Sequence, residues 1–333
     1  MFQPAGDTLF TRVRNLESAL GFKRLFLKFE GSNPTGTQKD RIAQMHYEDA
    51  HEKGFDTITL ATCGNFGAAI AYACSKNGIR PAIFVPSDYH AVRVAEMEKL
   101  GAHITRVPGD YEDAVAASRE AARREGWYDA NPGGADQWSI ARRGYGMIAR
   151  EIVDALGRMP DTVAVSVGNG TTLAGVFQGF KEVMGERGLD RVPRMVAAST
   201  PRGNPVIKSF KQGSRVCLDL KPAEIRETEV NEPLTNWHSF DGDRALEALH
   251  ESRGFAEYVS DAEMRRVTMM IRNVEGINVL TASTAAVAAL ARVATTHDLG
   301  DCHVAVLTGR RVPARRPEQP LAKAARPAEA PPS

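Results

Sequence analysis

Short apolar segments alternate with longer amphipathic segments through most of this sequence. Strand-like segments at residues 57–60, 82–85 and 103–107 each precede a segment whose apolar residues have helical spacing. Consecutive parallel strands need such helices between them, because a tight turn cannot join two strands that run the same way. The alternation therefore predicts an α/β fold with mostly parallel sheets and right-handed crossovers.

The same pattern continues, less regularly, to residue 310. Residues 212–245 are rich in Pro and Asn and predict loops, which suit a lid or an oligomer contact. The predicted helices share an amphipathic spacing and fall at residues 42–47, 68–76, 91–100, 111–125, 139–156, 173–184, 261–273 and 285–295. Further strands are predicted from continuous apolar runs at residues 25–29, 163–167, 195–199 and 304–307.

Composition argues against several classes of protein. The chain has 333 residues, enough for two lobes of one enzyme, and its net charge of +1 argues against nucleic-acid or membrane-surface binding. The N-terminus lacks the regions of a signal peptide and the four cysteines have no CxxC spacing, so we expect a cytoplasmic protein. The eight histidines form no HExxH-like cluster, and no metal site is expected.

Residues 33–41, Asn-Pro-Thr-Gly-Thr-Gln-Lys-Asp-Arg, place one lysine at the start of a predicted helix. There the helix dipole and any nearby cation favour the neutral amine of Lys39, by modest amounts. A neutral amine can form an imine with an aldehyde cofactor such as pyridoxal 5'-phosphate (PLP). The plain alternative is a surface lysine that opens a helix, so the hypothesis depends on what else the chain supplies.

Other turns supply what a phosphorylated aldehyde needs. The turn Gly168-Asn169-Gly170-Thr171-Thr172 joins an apolar strand to a helix, a setting in which backbone N–H groups bind anions. The turn Thr62-Cys63-Gly64-Asn65-Phe66 has the same setting, and a late strand ends in Thr308. Each has a plain alternative: a simple turn, a helix N-cap at Asn65, or the end of a strand.

These motifs resemble those of the fold-type II PLP-dependent enzymes, the tryptophan synthase β family, and within it most closely those of the threonine synthases. The family's lysine motif, Asn-Pro-Thr-Gly-Ser/Thr-x-Lys-Asp-Arg, matches residues 33–41 throughout. Its asparagine loop matches residues 62–65, its phosphate loop residues 168–172, and its Leu-Thr-Gly motif residues 307–309. The motifs occur in family order across most of residues 8–310, which makes the resemblance specific.

The resemblance implies a role for each matched residue. Lys39 would hold PLP covalently and then move protons at the Cα atom of the substrate. The phosphate loop would hold the PLP phosphate, and Asn65 would hydrogen-bond the 3'-oxygen of the ring. The N–H groups of the 62–66 turn would bind the substrate carboxylate. Thr308 would face the pyridine nitrogen, where a neutral hydroxyl gives a weaker electron sink than a carboxylate and suits elimination or replacement.

The substrate contacts depart from the threonine synthase pattern. Threonine synthases carry a segment that resembles Asn-Pro-x-Arg-x-x-Glu-Gly-Gln-Lys, and its arginine helps to bind the substrate phosphate. Here Asn131 and Pro132 match, but the arginine is absent, and Gln38 stands where Phe is frequent. We expect Asn131 at the substrate and Arg142 or Arg143 as replacements for the arginine. The alternative for both arginines is a helix face in solvent.

Three functions follow from the resemblance. The first is the threonine synthase reaction, in which phosphate leaves O-phosphohomoserine and water adds to give L-threonine. The second keeps PLP but is a threonine or serine dehydratase, or a β-replacement synthase in amino-acid or specialised biosynthesis. The third is a non-catalytic PLP-binding protein, which the intact cofactor motifs disfavour. The expected partners are a small amino acid and a second copy of the chain in a homodimer, with no nucleic acid or membrane.

The resemblance also implies how the chain divides. A large PLP-binding domain would combine residues 1–44 with residues 150–310, and a small α/β domain would occupy residues 45–149. Both lobes would have three layers, with the cofactor in the cleft between them. Residues 311–333 are rich in Pro, Ala and Arg, lack an apolar period, and predict a disordered tail.

Overall fold

The computed structural model describes residues 3–62, 64–75, 78–87, 93–133 and 135–311, and its strands form two separate sheets. The strands are β1 (Leu9–Arg12), β2 (Leu25–Phe29), β3 (Thr57–Ala61), β4 (Arg80–Pro86), β5 (His103–Val107), β6 (Tyr128–Asp129), β7 (Thr162–Ser166), β8 (Arg194–Ser199), β9 (Phe255–Tyr258) and β10 (His303–Leu307). The helices are α1 (Arg14–Leu20), α2 (Lys39–Glu52), α3 (Asn65–Cys74), α4 (Val94–Lys99), α5 (Tyr111–Glu125), α6 (Ala135–Leu156), α7 (Thr171–Arg187), α8 (Pro205–Lys211), α9 (Gly242–Glu251), α10 (Asp261–Glu275) and α11 (Ala285–Ala294). None of the described helices is both long and apolar enough to cross a membrane.

The larger sheet has six strands in the order β1-β2-β10-β7-β8-β9. The β1–β2 pair is antiparallel, and the other pairs of this sheet are parallel. The smaller sheet has the order β5-β4-β3-β6, with parallel pairs throughout. The prediction of an α/β fold with mostly parallel sheets is confirmed.

Strand β10, the last strand of the described residues, determines where the predicted motifs meet. Strand β10 lies between β2 and β7 and is parallel to both. The carboxyl ends of adjacent parallel strands lie at one edge of a sheet, and ligands bind outside that edge. The lysine motif follows β2, the glycine turn follows β7 and Thr308 follows β10, so three segments distant in sequence converge.

Several elements depart from the sequence prediction. Strand β5 and helix α5 begin and end where predicted, but helix α8 was missed although Asn204 caps it and Pro205 opens it, both of which are helix-start signals. Residues 212–245 are mostly loop, as predicted, yet α9 already begins at Gly242. Strands β1 and β9, of four residues each, were also missed.

The predicted domain boundaries fall within helices. Residues 44 and 45 lie inside α2, and residues 149 and 150 lie inside α6, so the division of the chain at these points stays a prediction. The predicted disordered tail lies outside the described residues beyond Arg311.

Helices α6 and α7 pack with their backbones in contact. A Cβ atom added to Gly179 of α7 would lie 2.5 Å from the Cα atom of Gly146 in α6, so a larger side chain would force the helices apart. The start of α7 carries the glycine turn, and α6 carries Glu151. This close packing therefore links the glycine turn to the charged network described next.

The buried side chain of Arg41 connects the lysine helix to two other elements. Its Nε atom donates to Glu30 Oε2 at 2.6 Å, and its Nη1 atom donates to Glu151 Oε1 at 2.6 Å. Lys28, also buried, pairs with Glu151 Oε2 at 2.5 Å. Two cations thus face two carboxylates, which compensates for the loss of water around each charge. Because Arg41 lies two residues after Lys39, the network fixes the start of α2.

We expect Glu151→Gln to lower the free energy of unfolding by about 3 kcal/mol, because Arg41 would keep Glu30 but the buried Lys28 would lose the carboxylate with which it pairs. Burial raises the pKa of Glu151, but the hydrogen bonds and charges of Arg41 and Lys28 outweigh burial and lower the pKa to about 2. A carboxyl with a lowered pKa stabilises the fold fully above its ordinary pKa of 4.5, and that contribution is lost as the pH falls toward 2.

Urea unfolding of both proteins at several pH values measures this effect. The stability difference between wild type and Glu151→Gln should shrink as the pH falls from 4.5 to 2. Glu186→Gln is the control, because Glu186 pairs with Arg150 at the exposed surface, where ion pairs contribute little. Equal losses in the two variants would contradict a structural role for the buried network.

Candidate active site

A cavity of about 460 Å³ lies where the segments after β2, β7 and β10 meet. Residues from the smaller sheet also line it, at the end of β3 and the starts of α3 and α5. Further wall residues come from the loop at residues 222–237, from residues 130–141 and from residues 280–282. Most of the predicted cofactor and substrate residues line this one cavity, namely Lys39, Thr62, Asn65, Phe66, Gly168, Asn169, Gly170, Thr171, Thr172 and Thr308.

Lys39 is half-buried in the cavity wall, at the first residue of α2. Its Nζ atom lies 5.5 Å from the centre of the Phe66 ring and 5.8 Å from that of the Tyr145 ring. Asp40 holds the preceding turn, since its carboxylate accepts hydrogen bonds from Thr35 Oγ1 at 2.9 Å and from the Thr37 N–H at 3.4 Å. Burial raises the pKa of Asp40 to about 6 despite these bonds. The motif residues around Lys39 thus form the turn that presents it.

The segment after β10 is tied to the lysine turn by backbone hydrogen bonds. The Gln38 N–H donates to the Thr308 carbonyl at 3.0 Å, and the Arg310 N–H donates to the Gly36 carbonyl at 2.9 Å. Gly36 has a φ of +89°, and a Cβ atom there would lie 2.6 Å from Arg310 Nε, so only glycine fits. These contacts hold the buried side chain of Thr308 in the same wall as Lys39.

The glycine turn caps the N-terminus of α7. Gly170 has a φ of +87°, and a Cβ atom at Gly168 would lie 2.8 Å from the Pro233 carbonyl oxygen. The side chain of Asn204 donates to the Gly168 carbonyl at 2.9 Å and fixes the turn from behind. The N–H groups at the start of a 17-residue helix are donors suited to a phosphate.

Hydroxyl and amide groups complete this turn. Thr171 Oγ1 donates to Asp241 Oδ2 at 2.6 Å, and Asn169 Oδ1 accepts from Asn236 Nδ2 at 3.0 Å. Asp241 in turn pairs with Arg244 at 2.6 Å, which compensates its buried charge. The side chains around the turn are therefore ordered by the protein itself.

The turn after β3 is held by the Thr62 hydroxyl. Thr62 Oγ1 accepts hydrogen bonds from the Gly64 N–H at 3.0 Å and the Gly67 N–H at 3.3 Å. The Thr62 N–H donates to the Phe84 carbonyl at 3.1 Å. The N–H groups of Thr62 and Gly64 are thus already engaged, and they can bind a substrate carboxylate only if the turn rearranges. Cys63 lies outside the described residues.

Four of the described residues predicted to bind substrate, Gly64, Asn131, Arg142 and Arg143, do not line the cavity. Asn131 is buried and structural: its Oδ1 atom accepts from the Ala61 N–H at 2.7 Å, and its Nδ2 atom donates to Ser118 Oγ at 2.9 Å. Arg142 pairs with Glu182 at 2.7 Å, and Arg143 is exposed. The position of the two arginines around the axis of α6 explains why they do not line the cavity. Gln137 and Ala141, four residues apart on α6, line the cavity, and the next two positions are rotated away by about 100° and 200°.

His46 lines the cavity although it was not predicted to do so. Its Nδ1 atom hydrogen-bonds the Tyr128 hydroxyl at 3.1 Å, and burial lowers the pKa of His46 to about 3, so the ring is neutral. Lys39, Ile42 and His46 all line the cavity at i, i+3 and i+7 of one helix. That spacing is the sequence signal that would have identified His46.

The residues present fit PLP. The cavity offers an amine at Lys39, a helix N-terminus for a phosphate at Thr171 and Thr172, and a neutral hydroxyl at Thr308. Phe66 supplies an aromatic wall for a flat ring. Apart from the two threonines, each of these groups comes from a different segment of the chain. The fold therefore brings them together.

Comparisons with known proteins agree with this fit. The family described as pyridoxal-phosphate dependent enzymes matches residues 1–309. Threonine synthase of Methanocaldococcus jannaschii is 30% identical over 295 residues, covering 86% of this chain and 70% of the relative. Threonine synthase of Methanosarcina acetivorans is 31% identical over 293 residues, with the same coverage.

A solved structure shows the same fold. Maize serine racemase superposes with a TM-score of 0.77 at 20% identity, covering 92% of this chain and 88% of the racemase chain. The predicted resemblance and the predicted PLP cofactor are thereby confirmed. A family match that spans nearly the whole chain places this protein among the pyridoxal-phosphate dependent enzymes of fold type II.

Proposed function

We propose that this PLP-dependent lyase acts on a small amino acid by eliminating a group from its side chain. The observation that supports this most strongly is that Lys39, the glycine turn and Thr308 line one cavity. When bound, PLP supplies the electron sink that makes the Cα–H bond of an amino acid acidic. The residues of the chain would then bind and orient the substrate and transfer its protons.

Lys39 would be the base of the reaction. Its amine enters the cavity from the first turn of α2, within 6 Å of two aromatic ring centres, where little water can compete for a proton. The N-terminus of α7 would hold the cofactor phosphate, and the half-buried Asn65 would orient the ring through its amide. The Thr308 hydroxyl would leave the ring nitrogen uncharged, which favours elimination over transamination.

Two candidates differ in the leaving group. The first is the threonine synthase reaction, with phosphate leaving O-phosphohomoserine and water adding to give L-threonine; the two archaeal relatives support it. The second is elimination or replacement on an unphosphorylated substrate. Among the described residues that line the cavity, Lys39 is the single lysine or arginine, and Arg142 is paired with Glu182 outside it. This lining favours the second candidate, because phosphate sites in proteins usually offer a cation.

A substrate panel distinguishes the candidates. Release of phosphate, ammonia and 2-oxo acid is scored separately for O-phosphohomoserine, threonine and serine. We expect kcat/KM for O-phosphohomoserine to be lower than that for an unphosphorylated amino acid, since no described cation other than Lys39 lines the cavity. Rapid phosphate release with threonine as product would contradict this expectation and establish the threonine synthase reaction.

Lys39→Ala should abolish the visible absorption band of the PLP-loaded protein and lower turnover by several orders of magnitude, because no other lysine is described in the cavity wall. Lys53→Ala is the matched control, since Lys53 caps the C-terminal end of α2 and pairs with Asp49 at the surface. Absorption and turnover are measured for both variants. A wild-type protein that stays colourless after PLP is added would overturn the proposal.

Thr308→Asp should place a carboxylate at the ring nitrogen and so lower the elimination rate while transamination products appear. Thr308→Ser keeps the hydroxyl and should behave like the wild type. Product analysis and absorption spectra measure the change. If Thr308→Asp leaves both unchanged, Thr308 only ends strand β10.

The homodimer, the cytoplasmic location and the small domain at residues 45–149 stay predictions. Sedimentation of the purified protein tests the first of them directly.

A further inference from the structure

His46 lies in the wall of the Lys39 cavity with its ring almost fully enclosed. The residue is 2% exposed and follows Lys39 by about two helical turns on the same face of α2. The centre of its ring lies 5.8 Å from that of Phe66, and Lys39 Nζ lies 5.5 Å from the same Phe66 ring centre. Lys39 and His46 therefore lie beside one aromatic ring in one cavity.

A chain of hydrogen bonds behind the ring determines which of its nitrogens carries the hydrogen. Burial raises the pKa of Asp49, but the hydrogen bonds from Lys53 and Tyr128 outweigh burial and lower that pKa, so Asp49 is a carboxylate that can only accept. The Tyr128 hydroxyl donates its single hydrogen to Asp49 Oδ2 at 2.9 Å. The Tyr128 oxygen therefore accepts from His46 Nδ1 at 3.1 Å. In the neutral ring, Nδ1 then carries the hydrogen and Nε2 is an acceptor.

The Nε2 atom of His46 is open to the cavity. It forms no hydrogen bond with any described residue, because the one hydrogen bond of the ring is made by Nδ1. Nor is it one of the fully enclosed polar atoms that lack a partner in the described part of the chain, so accessible surface remains at Nε2. Since His46 lines the cavity and is otherwise buried, that surface faces the cavity. A buried acceptor needs a donor, and the contents of the cavity can supply it.

The surroundings of Nε2 favour an uncharged donor. Ile42 and Phe66 are buried and line the same cavity, Ile42 one helical turn before His46 on α2. An ammonium group would lose much of its hydration between these apolar side chains and meet only a neutral ring, whereas a hydroxyl loses less. A phosphate dianion offers acceptor oxygens, which would face the lone pair of Nε2 without a hydrogen between them.

We propose that His46 Nε2 accepts a hydrogen bond from a hydroxyl group on the side chain of the amino-acid substrate. His46 touches the substrate, while Tyr128 and Asp49 are positioning residues that keep the hydrogen of the ring on Nδ1. This inference rests on the proposed function, because it names a substrate group for the same cavity. It adds a specificity-determining residue that lies outside all of the cofactor motifs.

Two pairs of amino acids in which a methyl replaces the hydroxyl test the proposal, namely L-serine with L-2-aminobutyrate and L-homoserine with L-norvaline. Stopped-flow absorption of the PLP-loaded protein measures their binding before turnover. For the pair whose hydroxyl reaches Nε2, we expect the ratio of hydroxyl to methyl affinity to be about 2- to 10-fold lower in His46→Phe than in wild type, the range of a neutral hydrogen bond. His51→Phe is the matched control, since His51 is exposed on the same helix outside the cavity and should keep the wild-type ratio.

Tyr128→Phe keeps the proposal testable even if His46→Phe fails to fold. It leaves His46 in place and removes the acceptor that holds the hydrogen on Nδ1, so the hydroxyl preference should fall while binding of the methyl ligands stays unchanged. In ¹⁵N NMR of histidine-labelled wild-type protein, the His46 ring should carry its hydrogen on Nδ1 and none on Nε2. A wild-type ring with the hydrogen on Nε2, or a ratio of hydroxyl to methyl affinity that Tyr128→Phe leaves unchanged in both pairs, would overturn the proposal.

These readouts separate this inference from the proposed function. A protein without a visible band that shows the Nδ1–H ring by NMR, and a hydroxyl preference by calorimetry that His46→Phe abolishes, would retain the inference and overturn the proposed role of Lys39. A visible band that responds to all four ligands, with the same ratio of affinities in wild type and His46→Phe, would retain the proposed function and overturn the inference.

Discussion

The buried pairing of Arg41 with Glu30 and Glu151 is the interaction on which the site depends most. Arg41 contacts the segment after β2 and helix α6 at once, and its position two residues after Lys39 transmits this constraint to the cavity. A charged group in the interior is tolerated only when it is paired. Any displacement of α2 would separate these charges, so the start of the helix has one favourable position.

Topology brings the other parts of the site to that position. Because β10 inserts between β2 and β7, residues 303–307 lie beside residues 25–29, and Thr308 is held next to Gln38 by a backbone hydrogen bond. Helix α6 contacts both the lysine helix α2 and helix α7. Its Glu151 pairs with Arg41 of α2, its Gly146 packs on Gly179 of α7, and its Ala141 lines the cavity. The cavity is therefore a consequence of strand order as much as of the motifs.

The features predicted well from the sequence were local ones. A strand, a glycine or polar turn and a helix start lie within a few residues of one another, so the sequence alone places Gly168–Thr172 and Lys39 at helix starts, and both line the cavity. Contacts set by helical phase were predicted poorly. Arg142 and Arg143 were placed at the substrate by their distance in sequence from Asn131, although the rotation of α6 turns them away.

The contribution of the loop at residues 222–237 to the cavity could not be predicted, because an irregular loop packs there without any regular element of its own. Such packing leaves no period in the sequence. The claim that every other step depends on is that Lys39 carries the cofactor. Borohydride reduction of the PLP-loaded protein, followed by mass spectrometry of its peptides, tests it most directly. The expected result is the added mass on the peptide that contains Lys39; the mass on another lysine, such as Lys28 or Lys53, would contradict it.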